Sequence, residues 1–529
     1  MQPSSIGATR RWLPWVVAGL AAIAIGVALR HLERSADGLV IRTQQLGSTP
    51  VTVFRPAASA GPAPVVLIAH GFAGSQQLMQ PFATTLARHG FVAITFDFPG
   101  HGRNATPMRG GLADQDESLR VLLASMQEMG AFAGEMSRRD GGTGRYAVIG
   151  HSMASDIVVR HAQTHAQDVQ ATVGVSLFAP SITAETPPDN PRNLLVIDGA
   201  LEPQMMATEA LRVVGRVAGP AAAQDTTYGR FADGTARRAT MSPGVEHIAV
   251  LYSAHTLAET LAWLNAAFER PAAAQSSFID ARGPWLGFLL LGVVALAWPL
   301  SRLLPRVGAM TSTTQRVRWW RWRGQAPLTL LPALITPLVL WKLPSDVLPI
   351  LLGDYLVLHF ALYGLLTAGG LLLLGHRPPR LARGHMLALG LAIICASAYA
   401  LLAVGAPVDR YVFNVQPVAV RWPVIAALCA GTLPYFLADE WLTRDPQAAP
   451  GAYFISKLCF LLSLVIAIAL NPWRLFFLAI IVPAILLLFV IYGLFSRWSN
   501  RRTGHPAVGA TANALAFGCF IAVTFPLVA

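Results

Sequence analysis

Residues 145–154 read Arg-Tyr-Ala-Val-Ile-Gly-His-Ser-Met-Ala. The apolar run Tyr146–Ile149 has the pattern of a buried strand, and a helical pattern follows from Ser152 to Thr164. Between them the chain turns through Gly150, Ser152 and Ala154, small residues at alternate positions. A serine on such a turn is lifted above the sheet, and the helix N-terminus beneath it favours developing negative charge. This is a place for a nucleophile, and a hydroxyl of ordinary pKa needs a base before it can act as one. Residues able to do proton chemistry recur at later strand ends: Asp198 and Glu202 in Leu194–Pro203, and His247 in Met241–Ile248. Taken alone, Ser152 would equally serve as a structural turn residue, and the two carboxylates as caps of the helix that follows.

Several elements must position these side chains. Candidate strands are Leu39–Leu46, Pro50–Phe54, Val65–Ala69, Val92–Asp97, Arg145–Ile149, Thr172–Phe178, Asn193–Asp198 and Ala236–Met241. Candidate helices are Gln76–His89, Asp114–Met129, Ser152–Thr164, Pro203–Val217 and Thr256–Glu269. The inner strands are short continuous apolar runs, as parallel strands buried on both faces should be. Strands alternating with helices imply a sheet covered on both sides. The first two strands have no helix between them and are expected to form an antiparallel edge.

The strand–Gly-His-Ser-Met-Ala–helix segment resembles the G-x-S-x-G nucleophile elbow of the α/β-hydrolase superfamily, with Ala154 in place of the last glycine. Three further segments share the resemblance. Val65–Ala69 ends in His70-Gly71-Phe72, where relatives place an oxyanion-hole loop. Asp97-Phe-Pro-Gly-His101-Gly-Arg103 is similar to a structural turn of the superfamily, so no catalysis is assigned to Asp97 or His101. Ser152, Glu202 and His247 follow the order Ser…Asp/Glu…His. The resemblance spans about residues 38–270 and is nearest to the dienelactone-hydrolase-like and cutinase-like branches. It implies Ser152 as nucleophile, His247 as base and Glu202 as acid, with Asp198 as the alternative acid and His255 as a lesser alternative base. The backbone N–H groups of Phe72 and Met153 become the oxyanion hole, and His70 becomes a structural residue. His151, His161 and His165 are expected to be surface or elbow residues. Only 14 residues separate Phe178 from Asn193, too few for a helical cap domain.

Composition divides the chain. Of 529 residues, 13% are charged, about half the usual share, and mean hydropathy is +0.49. This excludes an ordinary cytosolic enzyme, a disordered chain and a disulfide scaffold. Residues 30–283 carry 20 arginines against 22 acidic residues, whereas the rest of the chain carries 20 basic against six acidic residues, an excess of 14 that sets the overall net charge of +12. Residues 13–29 form an uncharged run after Arg10 and Arg11, read as an uncleaved anchor in preference to a signal peptide. From Pro284 onward apolar segments recur near 285–303, 326–341, 347–374, 385–405, 422–442, 453–470, 474–495 and 507–528, giving nine spans with the first. Pro332, Pro337, Pro344 and Pro349 interrupt the region 326–350 and make the count uncertain by one. The expected domains are an N-terminal membrane anchor (1–36), an α/β-hydrolase domain (37–283) and a polytopic helical membrane domain of about eight spans (284–529).

With Arg10 and Arg11 inside, the cytoplasmic loops carry 16 Lys and Arg and the outer loops carry Lys342, Arg410, Arg421 and Arg474. Lys457, beside Arg444, is counted with the inner loops. By the positive-inside rule the hydrolase domain then lies outside the cytoplasm, on the periplasmic side of a plasma or inner membrane. Trp319, Trp320 and Trp322, interleaved with arginines, suit a headgroup interface rather than nucleic acid. The four cysteines lie in apolar runs and are read as small buried hydrophobes. Ionisable residues within spans single out Asp354 and His359, and Asp439 with Glu440 near an inner span end. Their plain reading is polar contact between helices or interfacial anchoring; the sharper one is a polar cavity at Asp354 and His359 that opens toward the hydrolase site.

The resulting expectation is a serine hydrolase that cleaves an ester of an amphiphilic or lipid-like substrate through an acyl-enzyme, without cofactor or metal. Its expected partners are that substrate and membrane lipids. An acyltransferase using the same acyl-enzyme is the alternative. A transport or signalling protein with a hydrolase-like sensor domain is a third reading.

Overall fold

The computed structural model describes residues 6–58, 62–112, 114–271, 277–308, 323–379, 381 and 383–529. Arg316, Arg318, Arg321, Arg380, Trp319, Trp320 and Trp322 lie outside the described residues. The chain divides into two compact units, each built around its own packing.

One unit comprises Ala28–Gly287 together with the short segments Asp409–Val418 and Pro526–Ala529. Before it comes helix α1 (Ile6–Glu33), most of which belongs to the other unit. The eight strands are β1 (Leu39–Leu46), β2 (Thr49–Pro56), β3 (Val65–Ala69), β4 (Val92–Phe96), β5 (Tyr146–His151), β6 (Val169–Val175), β7 (Leu194–Gly199) and β8 (Arg237–Ser242). They form one sheet in the order β1-β2-β4-β3-β5-β6-β7-β8. β1 and β2 pair antiparallel at one edge, β2 meets β4 antiparallel, and all later pairings are parallel. The helices are α2 (Gln80–Arg88), α3 (Gln115–Arg139), α4 (Met153–Thr164), α5 (Gln204–Ala218) and α6 (Ala254–Ala267).

Side-chain alternation along the strands sorts the core into two layers. Leu195 and Ile197 face a cluster with Phe82, Phe91, Leu261 and Trp263. Their neighbours Leu194 and Val196 face Val159, Val213 and Val214 on the other side. α3 continues ten residues beyond Met129, where the sequence pattern places its end. Gly130 is no terminator: a Cβ there would stand 2.6 Å from the Tyr146 hydroxyl and 2.7 Å from the His161 ring, so its lack of a side chain permits α3 to pack closely against β5 and α4. The two distant segments attach to loops beside the sheet. Arg103 donates to Asp409 (2.8 Å) and Asn414 (2.9 Å), and the Met108 N–H donates to Leu527 O (2.9 Å).

The other unit is helical: α7 (Gly283–Ser301), α8 (Gln325–Lys342), α9 (Gly353–Leu373), α10 (Met386–Ala398), α11 (Val404–Tyr411), α12 (Trp422–Thr443), α13 (Ala452–Leu470), α14 (Pro472–Thr503) and α15 (Ala507–Thr524). A π-helical turn, Tyr399–Ala403, joins α10 to α11. Among the described residues eight helices, α1 included, are long and apolar enough to cross a membrane. α8 is absent from that set: it contains Pro332 and Pro337 and begins and ends on Gln325 and Lys342. Small residues allow close approach, as at Gly364, where a Cβ would lie 2.3 Å from the Tyr435 nitrogen.

Two sequence readings change here. Lys457 is not a loop residue: it lies within α13, buried, paired with Asp439 and ringed by Tyr435, Tyr453 and Phe489. Asp439 and Glu440 are likewise buried, which fits the expected polar contact between helices. Asp439 also accepts from Ser456, and Glu440 pairs with Arg444 (3.0 Å) and accepts from Ser496 (2.7 Å). A charge removed from water must be paired and hydrogen-bonded, and these four are. Among the cysteines only Cys459 is buried; Cys429 and Cys519 are half-buried and Cys395 is exposed on α10.

Candidate active site

Parallel register brings the carboxyl ends of the inner strands level, with Ala69 opposite Gly150, His151 opposite Val175 and Gly199 opposite Ser242. Loops leaving that edge of an open α/β sheet are where such folds gather functional side chains. Ser152 stands between β5 and α4 at φ 54° and ψ −118°. That left-handed conformation is strained for a residue with a Cβ. Space around it is equally tight. A Cβ on Gly150 would meet Ala154 O at 2.3 Å, and one on Gly71 would meet the Ser152 Cβ at 3.1 Å. The His70–Phe72 turn therefore lies against the serine. Met153 is the first residue of α4, where backbone N–H groups have no partner within the helix.

Ser152, His247 and Glu202 are joined by hydrogen bonds. The Ser152 hydroxyl lies 2.8 Å from His247 Nε2, and His247 Nδ1 lies 2.9 Å from Glu202 Oε2. With Nδ1 as the protonated nitrogen, the ring donates to Glu202 and accepts from Ser152. Burial raises the Glu202 pKa, but donors from His247, the Gly199 N–H and the Ser176 hydroxyl more than offset it, and the carboxyl ends below its ordinary value. Asp198 differs. It accepts from the Leu177 N–H (3.1 Å), and its Oδ2 is buried without a partner. Burial, then the neighbouring Glu202 charge, pushes its pKa up to about 7. Of the two carboxylates, only Glu202 bonds to the histidine.

The remaining histidines have structural positions. His70 is buried, accepts from the Phe98 N–H (3.1 Å) and lies 2.8 Å from Gly71 O, shaping the turn. His101 bonds to Pro99 O (2.9 Å) and Asp97 accepts from the N–H groups of Gln76 and Arg103, so that loop is held by its own side chains. His255 sits in α6 and bonds to Thr240 (3.0 Å). His161 is buried against the Tyr146 hydroxyl (2.8 Å), and His165 stacks on it. His151 is more than an elbow residue. Burial, then His247, lowers its pKa to about 3, and its neutral ring bonds through Nε2 to His247 O (2.9 Å), fixing the loop that carries His247. Ser176, at φ 52°, braces Glu202 with a 2.7 Å bond. Neither role has a motif in the sequence.

In the helical unit, Asp354 and His359 do not form a shared site. Asp354 lies at the start of α9, 3.8 Å from Arg474. His359 is buried one turn on, among Tyr355, Tyr363 and Phe460. Among the described residues no group of His, Cys, Asp and Glu has the arrangement of a metal site.

Residues 60–221 match the family model described as Serine aminopeptidase, S33. With the sheet order and the elbow, that match decides the assignment. The N-terminal part of the chain is an α/β-hydrolase domain. Solved structures similar to it include a predicted CIB-like hydrolase from Thermoplasma acidophilum (13% identity, 40% of this chain and 92% of that one, TM-score 0.30). A membrane phospholipase A described as a bacterial virulence factor is 14% identical over 50% of this chain and 96% of its own (TM-score 0.30). An epoxide hydrolase from Vigna radiata is 13% identical over 44% and 99% (TM-score 0.29). A comparison with curated proteins finds no match.

Among the described residues the segment between β6 and β7 forms no helical cap. Residues 179–192 contain no helix or strand and are pinned to α5: Ala179 N–H bonds to Glu209 (3.0 Å), and Arg212 donates to Ile182 O (2.6 Å) and Ala179 O (3.0 Å). Six large apolar side chains are exposed among the described residues of 39–283. Val40 and Ile41 are on the edge strand. The other four, Phe178, Leu201, Met205 and Ile248, follow β6, β7 and β8 at the edge that carries Glu202 and His247.

Proposed function

We propose that the protein is a polytopic membrane serine hydrolase whose extracytoplasmic domain cleaves esters of amphiphilic or lipid-like substrates through an acyl-enzyme on Ser152. The observation that carries this reading is the Ser152–His247–Glu202 chain of hydrogen bonds bordered by exposed Phe178, Leu201, Met205 and Ile248. An exposed apolar rim beside these residues favours a hydrocarbon chain over a polar substrate.

In the proposed reaction His247 Nε2 takes the Ser152 proton as the oxygen attacks the ester carbonyl. Glu202 holds the imidazole orientation and stabilises the imidazolium. The N–H groups of Phe72 and Met153 receive the oxyanion, a contribution of about 3–4 kcal/mol per donor in comparable sites. The alcohol leaves with the proton from Nε2. Water, deprotonated by the same nitrogen, then releases the acid and restores the serine.

A series of esters from acetyl to palmitoyl tests the substrate class. The expected result is kcat/KM rising with acyl length, by up to about four-fold for each methylene that becomes buried, and flattened by Phe178→Ser with Leu201→Ser. Highest turnover on acetyl esters, or on aminoacyl amides with a free amine, would overturn the lipid-like assignment.

A further inference from the structure

The turn that carries the Phe72 N–H is strained and depends on anchors. It leaves β3 through His70 and Gly71, passes Ala73 at φ 55°, and closes with the Gly74 N–H on Gly71 O (3.1 Å). A residue with a Cβ persists in that left-handed region only where its surroundings hold it. At the near end His70 bonds to Gly71 O (2.8 Å). At the far end Ser75 and Gln76 are buried, and each is held from outside the turn. The Gln76 N–H donates to Asp97 (2.7 Å), and the Ser75 hydroxyl accepts from the Asn414 N–H (2.9 Å).

Asn414 lies 339 residues from Ser75 in sequence, in the segment Asp409–Val418 of the hydrolase unit. Asp409 shapes that segment: its Oδ1 accepts from the N–H groups of Val415 (2.9 Å) and Gln416 (3.1 Å). Val412 and Phe413 pack against the core cluster on one face of the sheet. Arg103, in the loop after β4, donates through Nη2 to Asp409 and through Nε to Asn414 Oδ1, while its N–H donates to Asp97 (3.0 Å). A ring therefore closes from Asn414 through Ser75, Gln76, Asp97 and Arg103 back to Asn414. It joins the loops after β3 and β4.

We propose that Asn414 is a positioning residue for the oxyanion hole, fixing the far end of the Phe72 turn through Ser75. The inference rests on the reading of Ser152 as the nucleophile of an esterase. A Cβ on Gly71 would stand 3.1 Å from the Ser152 Cβ, so a shift of the turn is felt at the reacting centre. A misplacement of about 1 Å can cost roughly 10²-fold in rate. Residues 37–283 then lack one support of their own site.

The test is steady-state kinetics of the full chain in dodecyl maltoside on p-nitrophenyl octanoate, with inhibition by an octyl trifluoromethyl ketone, whose serine adduct puts an oxyanion in the hole. Asn414→Leu and Ser75→Ala should each lower kcat by about ten-fold or more with KM within about two-fold. Inhibitor affinity should fall by the same factor as kcat/KM. Arg410→Ala, which removes a side chain of the same segment that pairs with Glu33 (3.6 Å), should keep kcat within about two-fold. If Asn414→Leu fails to fold, Ser75→Ala, which removes a single hydroxyl, decides alone. Unchanged kcat in the folded variants, a loss confined to KM, or an equal loss in Arg410→Ala would overturn the proposal and leave the nucleophile in place. Wild type that neither turns over the ester nor takes a fluorophosphonate label would overturn the underlying reading and this proposal with it.

Discussion

Ser152 is held in a backbone conformation that costs about 1–3 kcal/mol for a residue with a Cβ, and the bare Gly71 and Gly150 around it leave no slack. The strain places a hydroxyl within 2.8 Å of an imidazole whose other nitrogen is committed to Glu202. The two nearby carboxylates should behave oppositely on substitution. Glu202→Gln is expected to lower kcat by about 10³-fold or more, through loss of the tautomer and the imidazolium partner. Asp198→Asn should stay within about three-fold of wild type, and steady-state kinetics of both variants checks this. Asp198 also predicts a pH effect on stability. Its folded pKa, about 7, lies above its ordinary value of 3.8, so folding takes up a proton between those values and stability falls as pH rises through that window. Asp198→Asn should therefore gain melting temperature over wild type at pH 8 relative to pH 5; a constant difference would contradict the assignment. That Ser152, Glu202 and His247 come together was legible in the sequence because each follows a strand at a position the resemblance marks. His151 and Ser176 were not. Each acts on a partner that only the fold supplies, His247 O being 96 residues from His151.

Among the elements, most strands of the hydrolase domain were readable because the inner ones are short apolar runs buried on both faces; β6 is the exception, running Val169–Val175 where Thr172–Phe178 was expected. The end of α3 was not, since Gly130 reads as a stop until its packing against Tyr146 and His161 is known. The helical unit shows a comparable limit. Lys457 has the composition of a loop residue beside Arg444, and only the approach of α12 to α13 reveals that it is buried against Asp439. The pair makes a prediction for the α12–α13 contact. Lys457→Met alone strands a buried carboxylate and should cost about 3–5 kcal/mol, whereas Lys457→Met with Asp439→Leu should recover most of that loss. Thermal unfolding in detergent compares the two. A double variant no more stable than the single one would mean that the charges serve something other than helix contact.

On the scale of the whole chain, charge distribution separates the parts more clearly than any motif. With α8 counted as the ninth span and Lys457 moved into a span, fifteen cationic residues remain in the proposed inner loops against four outside. That asymmetry supports an extracytoplasmic hydrolase domain. In a cysteine-free background, a membrane-impermeant maleimide should label Gln44→Cys in intact spheroplasts and Arg497→Cys only after permeabilisation; the reverse pattern would invert the topology. What the sequence left dark at this scale is that Asp409–Val418 and Pro526–Ala529, which lie among or beside apolar runs, pack with the hydrolase unit. Their partners, Arg103 and Met108, are some 300 or more residues away, and local periodicity carries no sign of such contacts. The claim on which the rest depends is that Ser152 is an activated nucleophile. Labelling of the folded full chain by a fluorophosphonate probe tests it most directly. The expected result is stoichiometric modification of wild type, none in Ser152→Ala and a severe slowing in His247→Ala. Folded wild-type protein that takes up no label, or a Ser152→Ala variant that labels as wild type does, would contradict it.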